Sequence, residues 1–496
     1  MRVLSAFFAA TAALISPISV LCTAEPLSSK QILPAEFKPP QVWKNANLVR
    51  NVNLEKGYPR EVINVVIENV DKAPQSEYYL PFENGLMARV GGLEVKDKKE
   101  PEKGTFKVVA TEFDTESATE YYLIHLPTPV EPSGQQTISI SYSLLSSLDP
   151  VPATIAQAEP QYLTYRFSSL CPSAYYTVKQ KTKLKFSSAD IPDYTTLPKS
   201  MNVDGADDPQ VQGSTITYGT YQDTPAGAQQ PVEVRYQYTR PLIHVALLQR
   251  DIEVSAWGGN LATEERYWLT NRAAALKENF SRVTWQMQTY TSTATSALRE
   301  LRFPLLSGSV NPYFTDDIGN VSTSRFRPGV GDKDASLELK PRYPVFGGWN
   351  YSFKIGWDAD LKNFLRKLKV SDRYVLRVPF LEGPRMAEGV EYDRVEVKVI
   401  LPEGAKNMKY ETTAQVIGEE ISVHKTFMDT IGRPTLKLSA MNVVDEWRDK
   451  TLVVTYDYPW AAGFRKPLTI FATMFCVFTV AWIVGNLDVS IGKKKA

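Results

Sequence analysis

The strongest constraint on this chain is an uncharged segment near its C-terminus. From Pro467 to Leu487 the sequence has no charged residue and is rich in Leu, Ile, Phe and Val. At about 1.5 Å per residue, a helix of this length spans roughly 30 Å, the thickness of the hydrocarbon core of a bilayer. Trp460, Phe464 and Trp482 lie near its two ends, where aromatic rings favour the membrane–water boundary. The sequence therefore predicts a transmembrane helix at 465–487.

The N-terminal residues have the pattern of a secretory signal peptide. The basic residue Arg2 precedes an apolar stretch from Val3 to about Leu21, and the small residues of Cys22-Thr23-Ala24 supply a cleavage site. We therefore predict a signal peptide at 1–24. Its cleavage, followed by one membrane span, would place nearly all of the chain in the lumen of the secretory pathway and leave a short tail, 488–496, in the cytosol.

The tail carries lysines at the third and fourth positions from the C-terminus, Lys494 and Lys493. This arrangement resembles the dilysine retrieval signal of endoplasmic reticulum membrane proteins, which is an address read by a receptor. The alternative is a general cluster of positive charge behind a membrane helix. Both interpretations agree on topology, and only the first names a compartment. A cargo receptor that cycles by this tail is a further alternative.

Composition excludes one class of partner and constrains how the chain is held together. With 56 basic and 55 acidic residues, the net charge of +1 gives no electrostatic reason to expect nucleic-acid binding. Of the three cysteines, Cys22 would leave with the signal peptide and Cys476 lies in the predicted membrane helix. Cys171 alone cannot form an internal disulfide, so the lumenal part must be held by hydrophobic cores.

Three Asn-x-Ser triplets lie in the predicted lumenal part, at Asn279, Asn320 and Asn350. Such a triplet accepts an N-linked glycan only where it is exposed in a secreted protein. A chain of this length contains a few such triplets by chance. The signal peptide is therefore what makes them predicted glycosylation sites.

A period of two dominates the rest of the chain. Apolar and aromatic residues alternate with polar ones in the runs Ile138–Tyr142, Val232–Tyr238, Val395–Val399 and Leu452–Tyr458. This alternation is typical of strands with one buried and one wet face. With 33 prolines and 27 glycines punctuating the chain, it favours antiparallel β-sandwiches over α/β layers. The predicted fold class is therefore mainly β.

Two local features depart from this pattern. In Asp358–Val370 the apolar residues follow helical spacing, which predicts a short helix capping the edge of a sheet, with a membrane or partner contact as the functional alternative. In Gly347-Gly348-Trp349 the adjacent glycines allow positive φ or close backbone approach. Trp349 then either anchors a turn against a core or binds a ligand.

The strand pattern also indicates an internal duplication. Three consecutive segments of the first half resemble three of the second: Val52–Leu54, Val62–Asn69 and Tyr79–Phe82, against Ile252–Val254, Glu265–Asn271 and Leu301–Pro304. Each half also closes with an aromatic, alternating strand. We therefore predict two related lumenal β-sandwich-like domains, 25–240 and 241–464, before the membrane helix. Shared strand composition without duplication is the alternative.

The sequence contains no recognisable catalytic motif. Its histidines, His125, His244 and His424, lie singly in strand-like runs without a partner at metal-ligand spacing. Nucleophile-elbow, phosphate-loop and dinucleotide motifs are missing. We therefore predict no catalytic, metal or cofactor site and a binding or scaffolding role. The alternative is a tail-tethered lumenal hydrolase or peptidase, since a pair of carboxylates could come together only in three dimensions.

The membrane helix carries a stripe of small and weakly polar residues. Thr469, Thr473, Cys476 and Thr479 recur at spacings of three or four. Such a stripe lets a second helix approach closely and exchange hydrogen bonds in lipid, which predicts a membrane partner. The alternative is that threonine is simply tolerated in a spanning helix.

Several ordered motifs carry a family resemblance: Arg250–Ser255 with Trp257-Gly258, Asp316–Ser324, Pro341–Trp349, Val399–Asn407 and Asp429–Pro434. These runs resemble the ribophorin I family, the alpha subunit of the oligosaccharyltransferase complex of the endoplasmic reticulum. The resemblance spans roughly Asn45 to Tyr458. Animal members carry a long cytosolic extension after the membrane helix, so the chain resembles the short-tailed fungal form.

The resemblance implies a function and a set of partners. The complex transfers a lipid-linked oligosaccharide to Asn of Asn-x-Ser/Thr in nascent proteins, and in this family the transfer belongs to a different, multi-pass subunit. The chain is therefore expected to be an accessory subunit that positions acceptor chains and stabilises the assembly. Its expected partners are the catalytic subunit, other subunits, nascent polypeptides and the endoplasmic reticulum membrane. No catalytic residue is implied.

Overall fold

The computed structural model describes residues 32–34, 36–113, 117–198, 202, 207–291, 294–331, 333–369, 371–426 and 429–487. The predicted signal peptide and the cytosolic tail, with Lys493 and Lys494, lie outside the described residues. The chain is built mainly of β-strands and ends in an apolar helix, which confirms the predicted fold class.

The first half of the chain contributes strands β1 to β17. They are β1 (Ile32–Leu33), β2 (Trp43–Leu54), β3 (Arg60–Asn69), β4 (Gln75–Glu83), β5 (Val90–Asp97), β6 (Lys107–Ala110), β7 (Glu112–Phe113), β8 (Thr119–Val130), β9 (Gln135–Leu144), β10 (Asp149–Pro150), β11 (Thr154–Ile155), β12 (Tyr162–Ser168), β13 (Thr177–Phe186), β14 (Asp193–Tyr194), β15 (Gln210–Gln212), β16 (Thr215–Thr224) and β17 (Pro231–Gln237).

The second half contributes strands β18 to β33 and the α-helices. The strands are β18 (Ile243–Ser255), β19 (Asn260–Asn271), β20 (Ala275–Leu276), β21 (Leu301–Leu305), β22 (Ser309–Asp316), β23 (Gly319–Asn320), β24 (Ser324–Arg327), β25 (Ala335–Leu339), β26 (Asn350–Asp360), β27 (Leu365–Lys367), β28 (Arg373–Pro379), β29 (Glu391–Ile400), β30 (Lys406–Thr412), β31 (Gly418–His424), β32 (Arg433–Val444) and β33 (Thr451–Asp457). The helices are α1 (Arg282–Thr291) and α2 (Arg465–Gly485). Short 3₁₀ turns lie at Met87–Arg89, Pro101–Lys103, Leu361–Asn363, Asp445–Asp449 and Trp460–Phe464.

Each half is built around one long sheet. Within the described ranges its order is β15-β16-β13-β2-β3-β9-β5 in the first half and β31-β32-β29-β18-β19-β26-β22-β23 in the second. Neighbours are antiparallel except at the centre, where β2 is parallel to β13 and β18 is parallel to β29. The antiparallel prediction is wrong for these pairings, because side-chain alternation reports which face is buried and not the direction of a strand.

The sheet orders confirm the internal duplication. Read from β15 and from β31, the two long sheets place corresponding strands in the same positions. Each is accompanied by two shorter sheets with matching orders: β4-β8-β6 and β10-β12-β17-β14 in the first half, β21-β25-β24 and β27-β28-β33-β30 in the second. Both central hairpins also carry a bulge at the same place, between Asn45 and Asn47 on β2 and between Val245 and Leu247 on β18.

A buried asparagine marks the same corner of both halves. Asn69 ends β3 and Asn271 ends β19, and both side chains are inaccessible to solvent. The amide of Asn69 donates to the Val130 carbonyl at 2.8 Å, and that of Asn271 donates to the Val345 carbonyl at 2.8 Å. Because a buried amide must be hydrogen bonded, each asparagine ties the end of the central hairpin to the neighbouring connection.

The alternating runs form the strands that the sequence predicts. Ile138 and Ile140 lie on β9, Val395 and Val397 lie on β29, and all four are buried. The short sheets pack on one face of each long sheet, and their inward residues join those of the long sheet in hydrophobic cores. Each half is therefore a sandwich held by apolar burial, with no disulfide among the described residues.

The predicted helix at Asp358–Val370 is wrong. The segment continues β26 to Asp360, makes the 3₁₀ turn Leu361–Asn363 and then forms the short strand β27. Leu361 is buried while Leu368 is exposed, so the apolar residues do not share one face. Spacing over so few residues could not distinguish a helix from a strand, a turn and a second strand.

Candidate functional site

The first half buries an ion pair in its core. Arg50, on the central strand β2, is 4% exposed and donates to both carboxylate oxygens of Glu61, at 2.6 and 2.8 Å. The hydroxyls of Tyr142 and Tyr165 donate to the same carboxylate at 2.7 and 2.9 Å. Burial alone would raise the pKa of Glu61, but Arg50 and the two tyrosines hold it below its usual range. The cluster therefore fixes β2, β3, β9 and β12 relative to one another.

The equivalent arginine of the second half has two carboxylate partners. Arg250 is 1% exposed and donates to Glu265 and Glu382, and the Tyr267 hydroxyl also donates to Glu265. Burial raises the pKa of Glu265, and Arg250 and Tyr267 oppose this only in part. Glu382 comes from the connection 380–390, which is longer than its counterpart 169–176 in the first half. The halves share the arginine and differ in what reaches it.

Neither buried arginine is among the residues predicted from the sequence, although the strand pattern contains a signal for both. On β2 the buried positions alternate as Leu48, Arg50 and Val52, and on β18 as Leu248, Arg250 and Ile252. A charged residue in the inward register of a predicted strand must be paired, because an unpaired buried charge is very costly. What the sequence could not supply was the partner, since Glu382 is distant along the chain and becomes a neighbour only through the fold.

A cleft of about 520 Å³ opens beside the first-half ion pair. It lies between the end of β4 and the strands β12 and β17, and the buried Arg50 and Tyr142 line its floor. Its walls are largely apolar and include Phe82 and Phe167, and exposed Glu83 also lines it. A concave apolar surface with a few polar groups is the usual form of a ligand site.

Backbone and charged contacts join the two halves. The Gly57 N–H donates to the Glu388 carbonyl at 2.7 Å. Lys56 lies 2.9 Å from Asp445, which also accepts a hydrogen bond from the Tyr58 hydroxyl. Tyr58 is buried in the hydrophobic core of the second half, although it belongs to the first. The two halves are therefore packed and hydrogen bonded against each other.

The membrane helix begins where the second half ends. The turn Trp460–Phe464 leads directly into α2, and together they form a helical stretch, Trp460–Gly485, that is long and apolar enough to cross a membrane. This is the predicted transmembrane helix. At its start the Lys466 ammonium lies 3.5 Å from the buried carboxylate of Asp429, so the helix is tied to the second half at the point where it begins.

The threonine hydroxyls of the stripe on α2 are hydrogen bonded to carbonyls of the same helix. The hydroxyls of Thr469, Thr473 and Thr479 donate to the carbonyls four residues earlier, at 2.8, 2.9 and 2.7 Å. Threonines that bond back to their own helix do not need a partner helix to satisfy them. Cys476 is exposed on the same helix. The partner stripe therefore stays a prediction.

All three Asn-x-Ser asparagines are exposed. Asn279 lies in the connection before α1, Asn320 ends β23 and Asn350 begins β26. The carboxamide oxygen of Asn350 accepts a hydrogen bond from the Thr270 hydroxyl at 2.8 Å. Exposure is what glycosylation requires, and whether these residues carry glycans stays a prediction.

The histidines lie apart from one another, on β8, β18 and β31. His244 is buried, and its Nε2 lies 2.9 Å from Asp393. Burial lowers the pKa of His244, but hydrogen bonds to Asp393 and Glu391 raise it above its usual value. Within the described ranges, no three His, Cys, Asp or Glu side chains form a group that could hold a metal ion.

Comparison with known proteins identifies relatives over nearly the whole chain. The family model described as Ribophorin I matches residues 43–485. The chain is 30% identical to dolichyl-diphosphooligosaccharide–protein glycosyltransferase subunit 1 of Schizosaccharomyces pombe, over 90% of this chain and 95% of that protein. It is 28% identical to the subunit 1 of Caenorhabditis elegans, over 92% of this chain and 74% of that protein.

Among solved structures, a zinc metallopeptidase of the M1 class from Deinococcus radiodurans matches 43% of this chain and 42% of that chain, with 11% identity. Its TM-score of 0.25 is too low for the likeness to carry an argument. The two named relatives are subunits of a glycosyltransferase, so they do not support the alternative of a tail-tethered hydrolase.

Proposed function

The chain belongs to the ribophorin I family, and we propose that it serves as a non-catalytic subunit of an oligosaccharyltransferase that acts on nascent proteins. The observation that carries the proposal is the family match over residues 43–485, together with relatives named as subunit 1 of such an enzyme. In this role the chain positions acceptor polypeptides and stabilises the assembly, while a multi-pass subunit transfers the oligosaccharide.

The pairing of the buried charged residues fits a structural, non-catalytic role. The buried carboxylates of Glu61 and Glu265 each accept hydrogen bonds from an arginine and from at least one tyrosine hydroxyl. Carboxylates held in this way stabilise strands and are not available as a general acid and base facing a substrate. The charged clusters therefore fit a scaffold.

The topology belongs to the same proposal. The chain crosses the endoplasmic reticulum membrane once, with domains 25–240 and 241–464 in the lumen and the tail in the cytosol. Lys493 and Lys494 act as the retrieval signal, and the stripe on α2 contacts another subunit in the membrane. In this orientation, which the predicted signal peptide gives, Lys466 at the start of α2 lies at the lumenal boundary of the span.

Loss of this subunit is expected to lower glycan occupancy. Purification of the full chain in a mild detergent should bring down a multi-pass glycosyltransferase, and depletion should leave reporter glycoproteins under-glycosylated, measured by gel mobility before and after glycan removal. Re-expression of the full chain is the control. A chain that purifies alone, with unchanged occupancy after depletion, would contradict the proposed function.

The exposed asparagines are expected to be glycosylated in this compartment. Changing Asn279, Asn320 or Asn350 singly to Gln should remove the mass of one N-glycan from the full chain, as measured by mass spectrometry. Conservative Ser352→Thr keeps the Asn350 triplet and should leave the mass of that glycan in place. An Asn→Gln variant with unchanged glycan mass would show that the residue concerned is not an acceptor.

A further inference from the structure

The cleft of the first half has a counterpart that the second half fills with its own residues. Strand β21 corresponds to β4. Buried Leu80 and Phe82 flank Pro81 as buried Phe303 and Leu305 flank Pro304. The register of the buried face therefore places Pro304 opposite Pro81, one residue from the alignment that the sequence suggests. In the second half Arg448 Nη2 donates to the Pro304 carbonyl at 3.0 Å, and its Nη1 donates to the carbonyls of Glu382 and Gly383. A guanidinium therefore joins the edge strand to the connection that follows β28.

The same connection lies directly against the edge strand. The Arg385 N–H donates to the Arg302 carbonyl of β21 at 2.8 Å. From the same segment, the Glu382 carboxylate reaches the buried Arg250. The counterpart of the cleft is thus occupied by the connection 380–390, which hydrogen-bonds to the edge strand β21, and by the side chain of Arg448.

Two differences leave the first-half cleft open. The connections 225–230 and 445–450 are equally long and join corresponding strands, so Ala228 holds the position along its connection that Arg448 holds in the second half, next to Gln229 in the cleft lining. The connection 169–176 is shorter than 380–390, and Arg50 takes its carboxylate from Glu61 on β3 instead. Among the described residues, no hydrogen bond from outside the sheet reaches the carbonyl of Pro81. The shorter connection does reach β4 at Tyr79, whose N–H donates to the Tyr175 hydroxyl at 3.1 Å. At Pro81, the groups that fill the space in the second half are missing.

We propose that the open cleft binds an extended segment of the acceptor polypeptide, with an Arg or Lys side chain in the place of Arg448. The proposal rests on the proposed function and narrows it to one surface. A protein is the substrate class that the relatives' names give, and the group that occupies the counterpart is itself a polypeptide segment. An edge strand beside an apolar groove is a common way to hold an extended peptide.

The chemistry of the cleft favours a basic side chain flanked by apolar ones. The Pro81 carbonyl is an acceptor on an edge strand, and Glu83 in the cleft lining makes no ion pair within the described residues. Arg50 is already neutralised by Glu61, so the floor does not require an acidic ligand. Phe82 and Phe167 in its lining suit apolar side chains next to the basic one.

The proposal is tested by grafting the missing arginine. Ala228→Arg should place a guanidinium against Pro81 as Arg448 is placed against Pro304, and Ala226→Arg adds the same charge at an exposed position of the same connection. The probe is a peptide with a photoreactive benzoylphenylalanine beside a Leu-Arg-Leu sequence, added to the intact detergent-solubilised complex without lipid-linked donor. The readout is the amount and position of crosslinks on this chain, mapped by mass spectrometry.

We expect crosslinks within 80–86 and 229–233. Ala228→Arg should reduce their amount about tenfold or more, because the peptide loses one charge-assisted hydrogen bond and the space for its side chain. Ala226→Arg should leave their amount unchanged. Replacing the peptide's Arg by Gln should weaken crosslinking to the wild-type complex, which tests the proposal even if Ala228→Arg does not fold. Equal losses in both arginine variants, crosslinks elsewhere, or a cleft crosslinked to another subunit would overturn the proposal. Glycan occupancy after depletion would still test the proposed function separately.

Discussion

Replacing Arg250 by Met is expected to destabilise the second half by about 3–5 kcal/mol, the usual cost of removing one member of a buried ion pair. The guanidinium is shared by Glu265 and Glu382, and both carboxylates are buried. Methionine keeps much of the apolar volume of the side chain. The loss of stability therefore comes mainly from the two carboxylates that are left without a cation. Burial already raises the pKa of Glu265, and removal of Arg250, which opposes that effect, should raise it further.

The measurement is the unfolding midpoint of the detergent-solubilised full chain in urea, followed by tryptophan fluorescence. Trp357 is a local reporter, because Arg250 lies 5.9 Å from the centre of its ring. The matched control is Arg266→Met, on the neighbouring strand, where the side chain is exposed and lies 4.0 Å from Glu264. That change should shift stability by no more than about 0.5 kcal/mol. Equal shifts for the two variants would contradict the assignment of Arg250 as the centre of the core network.

Side-chain periodicity made much of the fold predictable. Alternation reports burial directly, so it predicts the strands around Ile140, Val234, Val397 and Val454. It fails where an element is too short to complete a period, as at Leu361–Leu368. It also carries no information on strand direction, so the parallel pairings at the centres of the long sheets needed the structure.

The candidate site was less predictable than the fold, for a physical reason. Pro81 and Gln229 come to line one cleft only through the packing of two sheets on a third, and neither residue type signals binding by itself. The duplication makes a comparison of the two halves possible. The resemblance between the segments at Val52 and Ile252 pairs β2 with β18, and Arg50 and Arg250 lie at equivalent positions on these strands. The first-half cleft is recognised by comparison with the second half, where Arg448 and the connection 380–390 occupy the corresponding space.

The turn Gly347-Gly348-Trp349 shows how a local motif can be explained by two different requirements. The sequence predicts either positive φ or close backbone approach, and the structure uses one at each glycine. Gly348 has φ of 78°, with open space where a Cβ would lie. A Cβ at Gly347 would lie under 3.0 Å from the carbonyls of Ala273 and Ala274, which cannot move aside as a side chain could. Trp349 packs against Phe346 with ring centroids 5.6 Å apart, in accord with a packed turn.

Gly347→Ala is therefore expected to destabilise the second half by about 3 kcal/mol or more, at the upper end of the cost of overpacking, because the clash is with backbone. Gly348→Ala should cost only about 1–2 kcal/mol, the cost of a left-handed conformation. Asparagine separates the two causes, since it tolerates left-handed φ but is larger than alanine. Gly348→Asn should recover part of the thermal midpoint lost in Gly348→Ala, whereas Gly347→Asn should be no better than Gly347→Ala. Recovery by asparagine at both positions would mean that backbone conformation, and not close approach, selects glycine at Gly347.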